Sequence, residues 1–315
     1  MNRFYTIIRL TFVFTFLTSC QKDLKVIKSY YHWRSVYKNS IEIQDKLGEI
    51  SVLYVKMFDI VWKNKAAQPI SVINWQDKPH KKIIPVVYIT NEVMQKIGIN
   101  TIDTLANNIV NLVEKLTPIE LELQIDCDWS DSSRENYFAL LKAIRKLIKT
   151  NTLLSCTIRL HQLKFAKWTG VPPVGRGMLM LYNMAALGDY KTENSIFDPK
   201  VIDAYIHEVV SYGLPLDLAL AKYQQCVVFR NRQFVTTLRN ENFFDPTTQK
   251  MYFKHHKAWY FDCIKDTTIK NIHIAKGDQI RFEKVNDYDG RKFIKKVAAI
   301  NNTDSLKVVY FDIHS

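Results

Sequence analysis

The feature that most restricts this chain is an alternation. From residue 26 onward, short runs of β-branched and apolar residues take turns with stretches of helical periodicity. Eight such runs fall at 26–33, 51–57, 83–88, 121–127, 153–160, 178–182, 215–220 and 306–311. Regular strand–helix alternation requires parallel strands joined by crossover helices, because only a crossover returns the chain to the same end of the sheet. The helical stretches have recognisable ends. Ser40 precedes a short turn through Leu47, and Thr101 caps a helix that closes before Pro118. Asp131 or Ser132 opens another, with Tyr137, Leu140, Leu141, Ile144, Leu147 and Ile148 on one apolar stripe. Asp198-Pro199 begins a further helix with Gly213 as a stop, and the last lies around 290–299.

Eight units predict an α/β fold, a (β/α)8 TIM-like barrel over residues 26–315. The total of 315 residues suits one barrel of about 250 with an addition. An open doubly wound sheet is the competitor. No glycine-rich loop follows the first run, so a nucleotide-binding version would have nothing to cradle phosphates. The addition falls between the seventh and eighth runs, where a few residues would ordinarily suffice. Residues 225–284 alternate in places, as in Ile272-His273-Ile274 and Gln279-Ile280-Arg281-Phe282 around Lys276-Gly277-Asp278, which predicts an inserted β-rich segment, either a hairpin or a small β subdomain. Its aromatics, Phe243, Phe244, Tyr252, Phe253, Trp259, Tyr260 and Phe261, form either a small core or a platform for a sugar.

In a barrel, reactive groups gather at the C-terminal ends of the strands, where the loops shape the concave face. The fourth run is the richest in chemistry: Glu122, Gln124, Asp126 and Asp128 share one face, and Leu121, Leu123, Ile125 and Cys127 the other. The polar row must face the interior, since carboxylates pressed under the covering helices would be buried without partners. Asp126 and Asp128, two positions apart on one face, repel, and repulsion raises one of the two pKa values enough for a carboxyl to serve as a general acid. Their alternative is pairing with barrel cations. Lys56, with Asp59 just beyond it, and Arg159 are the candidates, and Arg159 either neutralises a carboxylate or binds substrate. The fifth run also carries His161, a possible acid/base or a structural residue. On the sixth, Tyr182 faces inward with Met178 and Met180, followed by Asn183. Tyr31 and Trp33, ending the first run, offer an apolar floor to a sugar ring.

The N-terminus carries a targeting signal. Arg3 and Arg9 flank an apolar run that ends Leu17-Thr18-Ser19-Cys20, too short to span a bilayer, which needs about 20 apolar residues. It resembles a bacterial lipoprotein signal. Residues 1–19 would be removed, Cys20 lipidated, and residues 20–25 left as a tether, giving a membrane partner through the lipid and a place in the cell envelope, most simply at the outer membrane. Gln21-Lys22-Asp23 is similar to short lysine/acid tags for surface export in the Bacteroidetes. The formal net charge of +13 would permit nucleic-acid binding, but the Lys and Arg residues are dispersed with no nucleic-acid motif, and clusters such as Lys81-Lys82 and Lys254-His255-His256-Lys257 suit solvated faces. No nucleic-acid partner is expected. Cys127, Cys156, Cys226 and Cys263 form no CxxC pair, so no thiolate metal site or other cofactor is implied, and three disulfide pairings stay open.

Leu123-Gln124-Ile125-Asp126-Cys127-Asp128-Trp129 and Met180-Leu181-Tyr182-Asn183 resemble the fourth- and sixth-strand motifs of family 18 glycoside hydrolases, the chitinase-like barrels. The series Tyr31-His32-Trp33, Tyr54-Val55-Lys56, Asp126-Cys127-Asp128 and Gly213-Leu214-Pro215 is similar to a family of bacterial exported proteins with glycosidase-like barrels. In the chitinase pattern the catalytic glutamate follows the second aspartate by two positions; that position here is Ser130, and Asn183 stands where an aspartate is usual. The resemblance implies a glycan ligand or substrate. If the chain hydrolyses it, Asp128 is the expected acid, Asp126 its electrostatic partner, and Tyr182 and Arg159 position the sugar. The alternatives are a non-catalytic glycan-binding lipoprotein or an envelope-assembly lipoprotein.

Overall fold

A computed structural model of the chain describes residues 24–239, 249–269, 271–285 and 287–314. Residues 1–19, where a signal peptide is expected, Cys20, Gln21-Lys22-Asp23, Phe243 and Phe244 lie outside the described residues. All eight expected runs are strands of one parallel barrel: β1 (Lys25–His32), β2 (Val52–Lys63), β3 (Lys82–Ile89), β4 (Glu122–Asp126), β5 (Leu153–Ile158), β6 (Arg176–Leu181), β7 (Leu216–Ala221) and β8 (Ser305–Phe311). Each pairs in parallel with its neighbour, and β1 pairs with both β8 and β2, which closes the ring. The far end of β2 runs past the barrel rim and pairs antiparallel with Ala66–Ile70.

Helices cover the outside through most of the stripes that their periodicity implies, although Leu147 is exposed and Ile148 lies just past its helix. Leu105, Ile109 and Val113 of Ile102–Leu116, and Tyr137, Leu140, Leu141 and Ile144 of Arg134–Leu147, are buried. Asp198 caps Pro199–Ile206 by accepting from the Lys200 and Val201 backbone N–H groups, which would otherwise be orphaned in the first turn. That helix stops at Ile206 rather than reaching Gly213, which packs against Val171.

The interior is a packed polar ladder, which explains the acidic row on β4. At the lower tier Glu122 accepts from Ser155 Oγ at 2.6 Å and Tyr54 Oη at 3.1 Å, with Lys307 Nζ 3.3 Å away. Asp217 is bound by Arg176 at 3.0 Å. One tier higher, Tyr31 Oη donates to Gln124 Oε1 at 2.6 Å. Every buried carboxylate here has a cation or hydroxyl partner, the condition under which charge can be buried at all.

The insertion follows β7 and is a β subdomain. Gln224–Arg230, Gln233–Arg239, Phe253–Lys257, Tyr260–Cys263 and Gln279–Lys284 form a five-stranded antiparallel sheet. Of the two expected forms it is the small β subdomain that is found, and 272–274 and 279–282 do not pair as a hairpin: Ile272–Ile274 pairs with Thr267–Ile269, while Gln279–Lys284 sits between Gln224–Arg230 and Tyr260–Cys263. Local alternation marks strands but cannot choose their partners. Val228, Phe253, Phe261, Ile280 and Phe282 make a small separate core, so most of the segment's aromatics serve packing. Among the described residues Cys127, Cys156, Cys226 and Cys263 are buried and none is in a disulfide.

Candidate functional site

The upper end of the barrel brings together side chains from seven strands and their ends. Each inward position follows from period-two alternation, and the last residues of the strands therefore meet at the mouth. On β4, Asp126 is 5% exposed and accepts from Thr157 Oγ1 of β5 at 2.6 Å. Burial, then the neighbouring Asp128, pushes its pKa from 3.8 up to about 6, with Thr157 and Arg159 opposing.

Asp128 lies just past the strand and meets Arg159 in a two-pronged pair, Nε to Oδ1 at 2.5 Å and Nη2 to Oδ2 at 2.7 Å. Such a fork fixes both partners in direction as well as charge. Its geometry is maintained from behind by Gln162, fully buried, which accepts from the Arg159 backbone N–H at 2.7 Å and donates to the Trp129 carbonyl at 2.9 Å. Trp129 in turn stacks on Tyr137, with centroids 5.2 Å apart. The two ends of β4 and β5 are thus tied by backbone as well as by side chains.

On the opposite side, a register shift in β2 between Lys56 and Phe58 returns Asp59 to the face of Lys56, and the two form a 2.7 Å ion pair. The Lys56 ammonium also sits 5.5 Å from the Trp33 ring centre. Trp33 is half-buried and meets Tyr88 and Phe311 edge-on, whereas Phe311 stacks on Tyr182 at 5.2 Å. Tyr31 lies beneath this layer at 1% exposure, its hydroxyl on Gln124. It supports the floor rather than forming it. Tyr88, whose hydroxyl pKa is raised to about 12 by burial and then by Asp126 and Asp128, and Phe311 are mouth residues that the sequence analysis passed over. Both occupy the inward phase of β3 and β8, so the signal was present in the alternation.

His161 is placed differently from the other candidates. β5 ends at Ile158, and Leu160–Lys164 is a helix, so the strand alternation does not extend to His161. It is exposed and faces a cavity of about 120 Å³ lined also by Arg159, Met180, Tyr182, Asn183 and Tyr205. Burial, then Arg159, lowers its pKa. Asn183 adopts a positive φ of 56° and accepts from Tyr223 Oη at 2.9 Å, which ends β6 at the cavity wall. Ser130, where the chitinase pattern has glutamate, is drawn into the turn that opens Arg134–Leu147: its N–H donates to Ser133 Oγ at 2.9 Å and its Oγ accepts from Asn91 Nδ2 at 3.2 Å. A second cavity, about 210 Å³, lies between the loop after β6 and the insertion, with Phe197, Lys200, Trp259 and Lys284 among its walls. Its Asp198 is committed to capping, and its Asn194 accepts from the backbone of its own loop and donates to the Lys284 carbonyl at 2.8 Å. Among the described residues, no cluster of three or more His, Cys, Asp or Glu side chains could hold a metal ion.

The arrangement therefore offers one protonatable carboxyl at the bottom of an aromatic-walled mouth, one fixed ion pair beside it, and hydrogen-bonding groups around an adjoining cavity. No protein-family model and no curated protein matches the chain. Solved structures do. The spore cortex-lytic enzyme SleL of Bacillus megaterium superposes with a TM-score of 0.57 at 13% identity, over 93% of this chain and 72% of that one. A chitinase from Chromobacterium violaceum gives 0.53 at 7% identity, over 90% and 93%, and a class V chitinase from Nicotiana tobaccum gives 0.51 at 13%, again over 90% and 93%. The likeness is one of fold alone: the chain is a (β/α)8 barrel, and the structures it superposes on are those of a cortex-lytic enzyme and of chitinases.

Proposed function

We propose that this chain is a glycan-binding lipoprotein of the bacterial envelope, using a glycosidase-like barrel from which the chitinase-type acid is missing. The observation that carries the reading is the state of the positions after β4. Ser130 is hydrogen-bonded into its turn, and both oxygens of Asp128 are held by Arg159, so neither projects a free acid toward a glycosidic oxygen. What remains suits recognition: aromatic rings for the faces of pyranose rings, with Arg159, Tyr182 and Asn183 for hydroxyl and amide groups. The ligand class is an N-acetylhexosamine oligosaccharide, in keeping with the chitinases that share the fold, one of which was solved with NAG4. Attachment through lipidated Cys20 would keep the mouth near the envelope glycans.

One observation favours hydrolysis as a second reading. Asp126 has the raised pKa, so in an active enzyme it would hold the proton, and Asp128, paired with Arg159, would be the ionised partner, the reverse of the roles expected from sequence. Calorimetry of the soluble chain starting after Cys20 with N-acetylglucosamine oligomers, followed by reducing-end release, separates the readings. Binding without release supports a receptor. Release abolished by Asp126→Asn, with binding retained, would establish the enzyme instead, and absence of any binding would remove both. Replacing Cys20 with Ala should release the full chain from the membrane fraction; persistence there would contradict lipid anchoring.

A further inference from the structure

Outside the mouth, two large aromatic rings are exposed on and between the short helices after β5. Trp168 is 68% exposed and Phe165 39%, although large aromatic rings are ordinarily buried or engaged. They are not scattered. The Phe165 ring lies 6.0 Å from Trp168, tilted by 55°, and 6.4 Å from Tyr205, which it meets edge-on at 84°, and Tyr205 is itself a wall of the cavity that contains Arg159 and Tyr182. The three rings form a strip that starts at the cavity and runs outward over the barrel flank.

The strip is held in position. Lys164 donates to the Ala204 carbonyl at 2.7 Å and lies 5.8 Å from the Phe165 ring centre and 5.7 Å from that of Tyr205, tying Leu160–Lys164 to Pro199–Ile206. The Trp168 carbonyl accepts from Arg134 Nη1, which anchors its end of the strip to Arg134–Leu147. An exposed ring whose backbone is anchored loses little freedom when a ligand stacks on it.

We infer that Trp168, buttressed by Phe165 and through it by Tyr205, forms an outer platform on which a distal sugar ring of a long glycan stacks as the chain leaves the barrel-mouth cavity. This rests on the glycan-binding reading, and it adds that affinity depends on chain length. Continuity with the cavity favours a linear polymer over a second protein: Tyr205 belongs to both surfaces, so an occupant of one end extends naturally onto the other.

The test uses Trp168→Ala and, as a second variant, Phe165→Ala/Trp168→Ala, titrated alongside the parent with N-acetylglucosamine oligomers of increasing length. Trp168 is exposed, so its variant should keep the parent's melting temperature. Expected is an unchanged Kd for the dimer and about a tenfold weaker Kd for the longest oligomer, as for loss of a stacking anchor. Trp168→Phe should restore most of the loss. If the parent gains nothing with length, or if Trp168→Ala weakens all lengths alike, the platform is refuted while the binding reading stands. If the parent binds no oligomer, the binding reading fails and the platform with it. Concentration-dependent self-association of the parent that Trp168→Ala abolishes would assign the strip to a second copy of the chain and overturn the proposal.

Discussion

Asp126→Asn should make this protein more stable at neutral pH. The folded carboxyl has a pKa of about 6 against 3.8 in its ordinary state, so between these values the folded chain binds more protons than the unfolded one. Stability then falls as pH rises through that window, because its slope with pH follows the protons bound by the unfolded state minus those bound by the native state. A gap of about two units corresponds to about 3 kcal/mol lost by pH 7.5. Asp126 is 5% exposed, so solvent screening removes little of this. Asparagine keeps an oxygen for the Thr157 hydroxyl and removes both the buried charge and its repulsion with Asp128. Urea unfolding of parent and variant, at pH 7.5 and near pH 4, reads the effect. The variant should gain about 2–3 kcal/mol at pH 7.5, a rise in Tm of roughly 5 °C, and almost nothing near pH 4. A variant no more stable at pH 7.5, or a gain of the same size at both pH values, would refute the account of the mouth as a site that holds a buried carboxyl at a cost to stability. Asp128→Asn should act in the opposite direction, losing about 1 kcal/mol, because it strips Arg159 of a half-exposed partner.

Other perturbations follow from the packing. Arg281→Met should lower stability by about 3–5 kcal/mol in urea titration: Arg281 and Glu283 are fully buried, and Arg281 donates to the carbonyls of Leu187 and Asp189 while Glu283 holds Ser195. Hydrogen exchange in residues 187–195 should accelerate beyond that of the barrel strands, and equal acceleration in both would contradict a local latch. His32 and His314 share a 2.9 Å hydrogen bond, and each has its pKa lowered to about 4, principally by burial. Because the unfolded chain binds the protons first, stability should fall as pH drops from about 6.5 toward 4. His32→Phe should flatten that limb, and an unaltered profile would count against the pair. Gly177→Ala would place a Cβ 2.8 Å from Ile158 Cγ1 and 2.9 Å from Leu216 Cδ2. Overpacking of about 1–3 kcal/mol should appear as a lower denaturation midpoint, whereas neutrality would mean that both side chains can move aside.

The sequence by itself determined the number and order of the barrel strands, since each carries its own period and each helix its own stripe, and these are local properties of the chain. It also determined which residues of β4 face inward: Glu122, Gln124, Asp126 and Asp128 could not lie under the helices without unpaired burial. Mouth residues such as Tyr88 and Phe311 were equally legible in phase, but lacked a titratable group to draw attention to them. What only the tertiary structure decided was pairing across the ring. That Arg159 would clamp Asp128 and leave Asp126 as the buried carboxyl depends on the relative heights of β4 and β5 and on Gln162 joining their ends. The bulge in β2 that returns Asp59 to Lys56, the partners of the insertion strands and the meeting of Phe165 with Tyr205 have the same origin. Periodicity fixes the direction in which a side chain points, whereas contact between residues far apart in sequence is set by strand register and by the packing of elements against one another, which a local pattern does not encode.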